Sequence, residues 1–270
     1  MENDFTYTTF GATGHRVHRL GLSASYRPGK QTVFRAIDEG VNLFFGFGVD
    51  TQMTAAMRDV LRHERERFFV VTGVYNLLIG YPDMRRTPER RLRQFGTEYI
   101  DAFLFLGVTK PKQFSERARE ELQRLKQDGR VRFVGMSCHD RAFAGTLAGQ
   151  GALDVFMIRY NAAHRGAEQE IFPRLQAHHP AVLNYTATRW TELLRRPRGW
   201  PAQRPIPTPG QCYRFALSNE HVHVCLTAPR TEHELVENVR ALRDGPLSSE
   251  EMAFMREFGD VVHHQRKWFM

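Results

Sequence analysis

The stretch SERAREELQRLKQDGRVRFVGMS (115–137) joins an amphipathic helix to a buried strand. Ser115 has the side chain of a helix N-cap, and Gly129 stops the helix after KQD. FVGMS (133–137) then follows as a short apolar run of the kind that is covered on both faces. Working outward in both directions, the same alternation recurs. LGLSA (20–24), VNLFF (41–45), FFVVT (68–72) and AFLFL (102–106) precede it, and VFMIR (155–159), AVLNY (181–185) and VHVCLT (222–227) follow. Amphipathic windows separate these runs.

Parallel strands need crossover connections, and helices on the outside supply them. Eight such runs therefore predict an α/β protein of one architecture, the (β/α)8 TIM barrel, for which 270 residues is an ordinary length. FTYTTF and HRVHRL, on either side of GATG (11–14), predict an N-terminal β-hairpin. Thr87-Pro88-Glu89 reads as a further helix start, with Thr87 as N-cap. Pro, Arg and Gly crowd residues 195–210, which predicts a long loop after the seventh strand. No linker or repeat divides the chain, so residues 1–270 read as a single barrel.

Composition excludes several classes. Hydrophobic residues at 41% and charged residues at 25% suit a globular protein rather than a disordered one. No window approaches the ~20 apolar residues of a membrane span, and the polar start MENDFTYTTF is not a signal peptide, so a cytoplasmic location without membrane partners is expected. Three cysteines (138, 212 and 225), odd in number and far apart, argue against a disulfide framework or a structural zinc site. Paired histidines at 178–179 and 263–264 lack spaced carboxylate partners, so no metal is expected. The net charge of +8 is spread over helix faces where Arg alternates with Glu. It points to a small, anionic ligand rather than nucleic acid.

Five segments, in order, resemble the aldo-keto reductase superfamily. HRVHRLGLS follows the hairpin; AIDEGVN, GTEYIDAFLFL, LQRLKQDGRVRFVGMS and TAPRTEHELVENVRAL come after it. The resemblance implies hydride transfer from NADPH to a carbonyl, with a Tyr giving the proton, a Lys and an Asp tuning it, and a His polarising the carbonyl. At the matching positions this chain has Asp50 for the Tyr, Gly73 for the Lys, Phe45 for the Asp and Leu106 for the His. Phe45, Gly73 and Leu106 have no proton chemistry, so the resemblance describes a divergent member with an apolar, widened floor.

The cofactor positions implied by the resemblance are unevenly kept. Of the three groups that hold the nicotinamide carboxamide, Ser137 remains, with Cys138 and Met157 at the other two positions. Tyr185 matches the aromatic that stacks on the nicotinamide, Thr186, Arg189 and Trp190 match the pyrophosphate wrap, and Arg230, Thr231, Glu237 and Asn238 match the adenine side. NADP is the implied cofactor. Glu234, at the position of the 2′-phosphate arginine, leaves NAD open, and the eroded carboxamide contacts leave open that no dinucleotide binds.

Replacement chemistry is sought just beyond the strand ends, where barrels of this kind meet their ligands. His139 is a candidate acid-base group, with a loop-capping histidine as the alternative reading. Tyr75, with Asn76 beside it, is a second candidate, the alternative being a ring packed with its hydroxyl satisfied elsewhere. Arg159 with Arg165 and Arg189 forms a candidate anion fork; an ion pair from Arg159 to Glu168 or Asp140 is the alternative. Asp50 also falls after a strand end. Cys138 and His139 are adjacent on a strand and point to opposite faces, so they do not pair as nucleophile and base. Three functions remain: an oxidoreductase with a non-standard acid-base set, a non-redox lyase, dehydratase or isomerase, and a non-catalytic cofactor-sensing or partner-binding barrel. Oligomeric state leaves no trace in the sequence.

Overall fold

The apolar runs become eight strands because each is covered on both faces, by the barrel interior and by the helix layer. The computed structural model describes residues 4–47, 50–75 and 82–265. A two-stranded antiparallel hairpin, β1 (Tyr7–Thr9) and β2 (Arg16–His18), precedes the barrel. Then follow β3 (Leu20–Ser23), α1 (Lys30–Asp38), β4 (Leu43–Phe45), α2 (Thr51–Glu64), β5 (Phe69–Tyr75), α3 (Arg86–Phe95), β6 (Ile100–Val108), α4 (Glu116–Gln127) and β7 (Val131–Cys138). The second half runs α5 (Arg141–Gly149), β8 (Val155–Arg159), the single turn α6 (Ala167–Glu170), β9 (Ala181–Tyr185), α7 (Pro209–Leu217), β10 (Val224–Thr227), α8 (Glu232–Ala241) and α9 (Ser249–Gln265). All neighbours from β3 to β10 are parallel, and β10 closes on β3. The expected eight-stranded barrel and its hairpin are both present.

Period-two alternation divides the apolar residues between two cores. Phe45, Val71, Leu104, Leu106, Met157 and Leu183 fill the barrel interior. Their strand neighbours Phe44, Val70, Phe105, Ile158 and Val182 pack under the helices. The hairpin plugs the N-terminal end: Phe10 is fully buried and meets the Phe69 ring edge-on at 5.2 Å. With that end shut and the interior packed, the C-terminal mouth is the end left open to a ligand.

Ser115 caps α4 as expected, accepting from Ala118 N, and Gly129 follows the helix at φ +72°. One start is corrected. α3 begins at Arg86, so Thr87 lies inside its first turn, and the capping is done by Asp83, whose carboxylate accepts from the N–H groups of Arg85 and Arg86. The long loop before α7 is tied down by Trp200, which is buried and donates from its indole N–H to Pro205 O, and by the Arg204–Glu257 ion pair.

Candidate active site

A cavity of about 1000 Å³ opens at the C-terminal mouth. Strand alternation decides which side chains reach it. On β7, Ser137 and the following His139 face in, whereas Cys138 between them packs outward into the helix-side core, where burial pushes its thiol up to about 12. On β8 Met157 and Arg159 face in, and parallel pairing sets Arg159 beside Tyr185 of β9.

The floor is apolar, as the sequence implies, but it is not widened at Gly73. A Cβ on Gly73 would lie 2.2 Å from the carbonyl oxygen of Leu104 and 3.0 Å from Cδ1 of Leu106, so the neighbouring strand and the Leu106 side chain occupy the room a larger residue would need. Phe45 and Leu106 are buried at the floor, and Phe45, Phe47 and Tyr75 continue it into an aromatic wall, with ring centroids 4.7 and 5.8 Å apart along the series. Asp50 does not belong to this rim. It is buried as the N-cap of α2, where Oδ1 accepts from Gln52 N and Met53 N.

The polar side is built on β6 to β9. Gly107, at φ +80°, lies in an irregularity of β6, and its N–H donates to the Ser137 hydroxyl at 2.8 Å. His139 N donates to Val108 O at 2.7 Å, which fixes the start of the loop after β7. Its ring stands edge-on to Tyr185, whose hydroxyl is 3.5 Å from both imidazole nitrogens. Burial lowers the His139 pKa, and the Arg159 charge lowers it further, so the ring is neutral at neutral pH. Burial raises the phenols of Tyr75 and Tyr185, and both keep their protons. Tyr75 is 44% exposed, so its ring lines the cavity wall rather than being packed away. Asn76 lies outside the described residues.

The three-arginine fork is dispersed. Arg165 donates to Ala162 O and pairs with Asp260 at 2.7 Å. Arg189 is fully buried, donates to Val262 O and pairs with Glu192 at 3.1 Å, so its head turns into the protein rather than toward a pyrophosphate. Arg159 alone of the three lines the cavity. The carboxylates expected as its alternative partners have other tasks: Asp140 caps α5, and Glu168 is held by Tyr160 and Arg256.

Thr186 and Trp190 line the cavity from the loop after β9, in which Thr186, Arg189, Trp190 and Thr191 all have positive φ, between 51° and 70°. Such conformations are costly without glycine and persist where the surroundings impose them. One imposing contact is Asn161, whose amide donates to Thr186 O at 2.9 Å. On α8, Arg230 N donates to the Glu234 carboxylate at 2.8 Å, Thr231 caps the helix through Glu234 N, and Asn238 donates to Thr227. Arg230, Glu234, Glu237 and Asn238 line the cavity, and Thr231 is spent on its cap. Sequence reasoning missed Tyr26 and Phe47, which the strand-end rule would have found after β3 and β4. It also missed Tyr213, which reaches the cavity from α7 and carries no sequence signal.

Among the described residues, no group of three or more His, Cys, Asp and Glu could hold a metal ion, and no helix is long and apolar enough to cross a membrane. The profile of the Aldo/keto reductase family matches residues 48–260. No protein of curated function matches the sequence. An aldo-keto reductase from Bacillus halodurans in its holo form superposes with a TM-score of 0.77 at 18% identity, over 94% of this chain and 96% of the other. One from Klebsiella pneumoniae in complex with NADP and acetate gives 0.72 at 22%, over 94% and 95%. Another, from the same organism in complex with NADPH, gives 0.72 at 20%, over 98% and 99%.

Proposed function

This chain belongs to the aldo/keto reductase family, and on that premise we propose that it is an NADP(H)-binding oxidoreductase that reduces a small carbonyl compound without the family's tetrad. The observation that carries the reading is the continuity of the cavity, which runs from the Phe45–Leu106 floor past Tyr185 to Arg230 and Asn238. The residues present fit a dinucleotide best toward α8, where Arg230 and Asn238 would hold the adenosine end, and through the Tyr185 ring, which offers a stacking face. At the carboxamide they offer the Ser137 hydroxyl, while Met157 contributes only apolar surface.

When bound, the reduced cofactor supplies the hydride to the carbonyl carbon. The chain's own groups then serve the oxygen. Arg159 stabilises the negative charge that develops there, and neutral His139 donates a hydrogen bond. Tyr75 supplies the proton. Its raised pKa makes it a weak acid, yet an alkoxide is a much stronger base than a phenolate, so the transfer runs downhill, and the phenolate recovers its proton from solvent. Calorimetric titration with NADPH and NADH, followed by turnover of an aldehyde and ketone panel read by nicotinamide absorbance, tests the reading. Saturable binding with turnover supports it, and absence of binding by either dinucleotide ends it.

A non-redox step in the same cavity is a second reading, favoured by Met157 at the carboxamide and by the engagement of the Ser137 hydroxyl with Gly107 N. It expects no dinucleotide binding but activity that depends on His139 and Arg159.

A further inference from the structure

Positive charge is not laid evenly over the helix layer. On α4 the alternation of Arg with Glu expected from the sequence holds, since Arg117, Arg119 and Arg124 pair with Glu121, Glu116 and Glu120. On α3 it fails. Arg86, Arg90 and Arg93 stand at i, i+4 and i+7, an exposed row about 10 Å long on one helix face. The neighbouring helix α2 extends the row. Arg58 donates to Arg93 O at 2.7 Å and to Gln94 O at 3.0 Å, and Arg62 follows it one turn on, also exposed.

The acids of this region answer other groups. Asp59 pairs with Lys30 at 2.6 Å, Glu64 with Arg67 at 2.7 Å and Glu89 with Arg130 at 3.2 Å. Asp83 is the cap of α3 and lies 3.9 Å from Arg86. Among the described residues Arg62, Arg90 and Arg93 form no ion pair, and Glu98, past the end of α3, is a single exposed acid against them. Burial, joined by the charge of Arg90, lowers the pKa of Arg91 beneath the row to about 10. The row also lacks apolar surface: the large hydrophobic residues exposed among the described residues are Tyr26, Tyr75 and Trp190, and all three line the cavity instead.

From this composition we infer that the α2–α3 face binds the phosphate backbone of double-stranded nucleic acid without reading its sequence. A guanidinium meets a phosphate with two parallel N–H donors. A protein partner would require apolar and aromatic residues at the centre of the interface, a lipid surface would require apolar side chains that enter it, and a single strand would require rings on which bases stack. A duplex keeps its bases inside and presents phosphates, and contacts to phosphates carry no sequence information. The cluster forms only in the tertiary structure, where α2 packs against α3 and brings Arg58 and Arg62 to Arg90 and Arg93. It lies on the outside of the barrel, so the inference stands apart from the chemistry of the cavity.

The test is fluorescence anisotropy of a labelled DNA duplex of about 20 base pairs, titrated with the full chain between about 50 and 200 mM KCl. Binding is expected to saturate at the lower salt, and log K to fall against log salt with a slope of about −3 to −4, one phosphate for each of Arg58, Arg62, Arg90 and Arg93. Arg62→Ser, Arg90→Ser and Arg93→Ser combined should weaken binding about ten-fold or more and bring the slope to about −1. Arg16→Ser, Arg124→Ser and Arg243→Ser combined remove the same charge from arginines that have ion pairs elsewhere on the surface, and should change the affinity by less than about two-fold. Equal losses in the two triple variants overturn the inference, because diffuse net charge would then explain the binding. Absence of duplex binding by the unsubstituted chain, or a slope shallower than about −2, overturns it whether or not the variants fold. Tighter binding of polyglutamate, of phosphatidylserine vesicles or of a single-stranded oligonucleotide than of the duplex does so too, and assigns the face to that partner instead.

Discussion

The Tyr185 hydroxyl is equidistant, at 3.5 Å, from Nδ1 and Nε2 of His139. Both distances sit at the outer limit of hydrogen bonding, so the hydroxyl faces the ring between its nitrogens and commits neither of them. A small rotation would make one good bond to Tyr185 or to a ligand. For the proposed reaction, His139→Ala is expected to lower kcat by about 10²-fold. Tyr185→Phe, which keeps the ring and its stacking face, should cost far less. Steady-state turnover of both variants checks this.

Because the His139 pKa is lowered, its neutral form persists below the ordinary histidine value of about 6.5. A rate that needs neutral His139 should therefore fall on the acid side along a limb centred below about 6.5. A pH–rate profile with its acid limb centred at or above that value would contradict the assignment.

Putting back the family's lysine should damage the protein rather than rescue it. Gly73→Lys drives a Cβ into Leu104 O, a backbone atom that cannot move without disturbing the β5–β6 pairing. The expected cost is about 2 kcal/mol or more, by the overpacking that such contacts cause. Thermal and denaturant melts measure it.

Asp50, at the position of the family's tyrosine, is a cap. Asp50→Ala should lose about 1 kcal/mol, as removal of N-caps generally does, with turnover per folded molecule unchanged. Loss of turnover with stability intact would instead return Asp50 to the active site.

His18 provides a stability test remote from the site. It is fully buried, Nδ1 accepts from Leu20 N at 3.0 Å, and burial lowers its pKa to about 4. The unfolded chain takes up this proton near 6.5 and the folded chain only near 4, so the contribution is complete above about 6.5 and is lost as pH falls between those values. The loss is roughly 3 kcal/mol at most. His18→Gln should flatten that part of the stability profile in equilibrium unfolding.

Glu234 sets the cofactor test. Its carboxylate stands on the cavity wall with Glu237, where it would oppose a 2′-phosphate. Glu234→Gln is expected to tighten NADPH relative to NADH, which competitive titration reads directly.

The barrel was legible in the sequence because parallel strands buried on both faces leave continuous apolar runs, and caps such as Ser115 mark where the intervening helices begin. The strand-end rule also located His139 and Arg159 at the mouth, and the family resemblance pointed to Tyr185. The start of α3 was misread because Asp83 and Thr87 are both capping types, and only the backbone path decides which of them caps.

What the sequence alone determined is the alternation of elements, and with it the barrel and the apolar character of Phe45, Leu106 and Met157. What only the tertiary structure decided is the direction of the long polar side chains. Arg159, Arg165 and Arg189 are chemically identical and similarly placed along the chain, yet one lines the cavity and two are drawn to Asp260 and Glu192. A guanidinium on a flexible stem follows the acceptors within its reach, and packing of elements distant in sequence sets which acceptors those are.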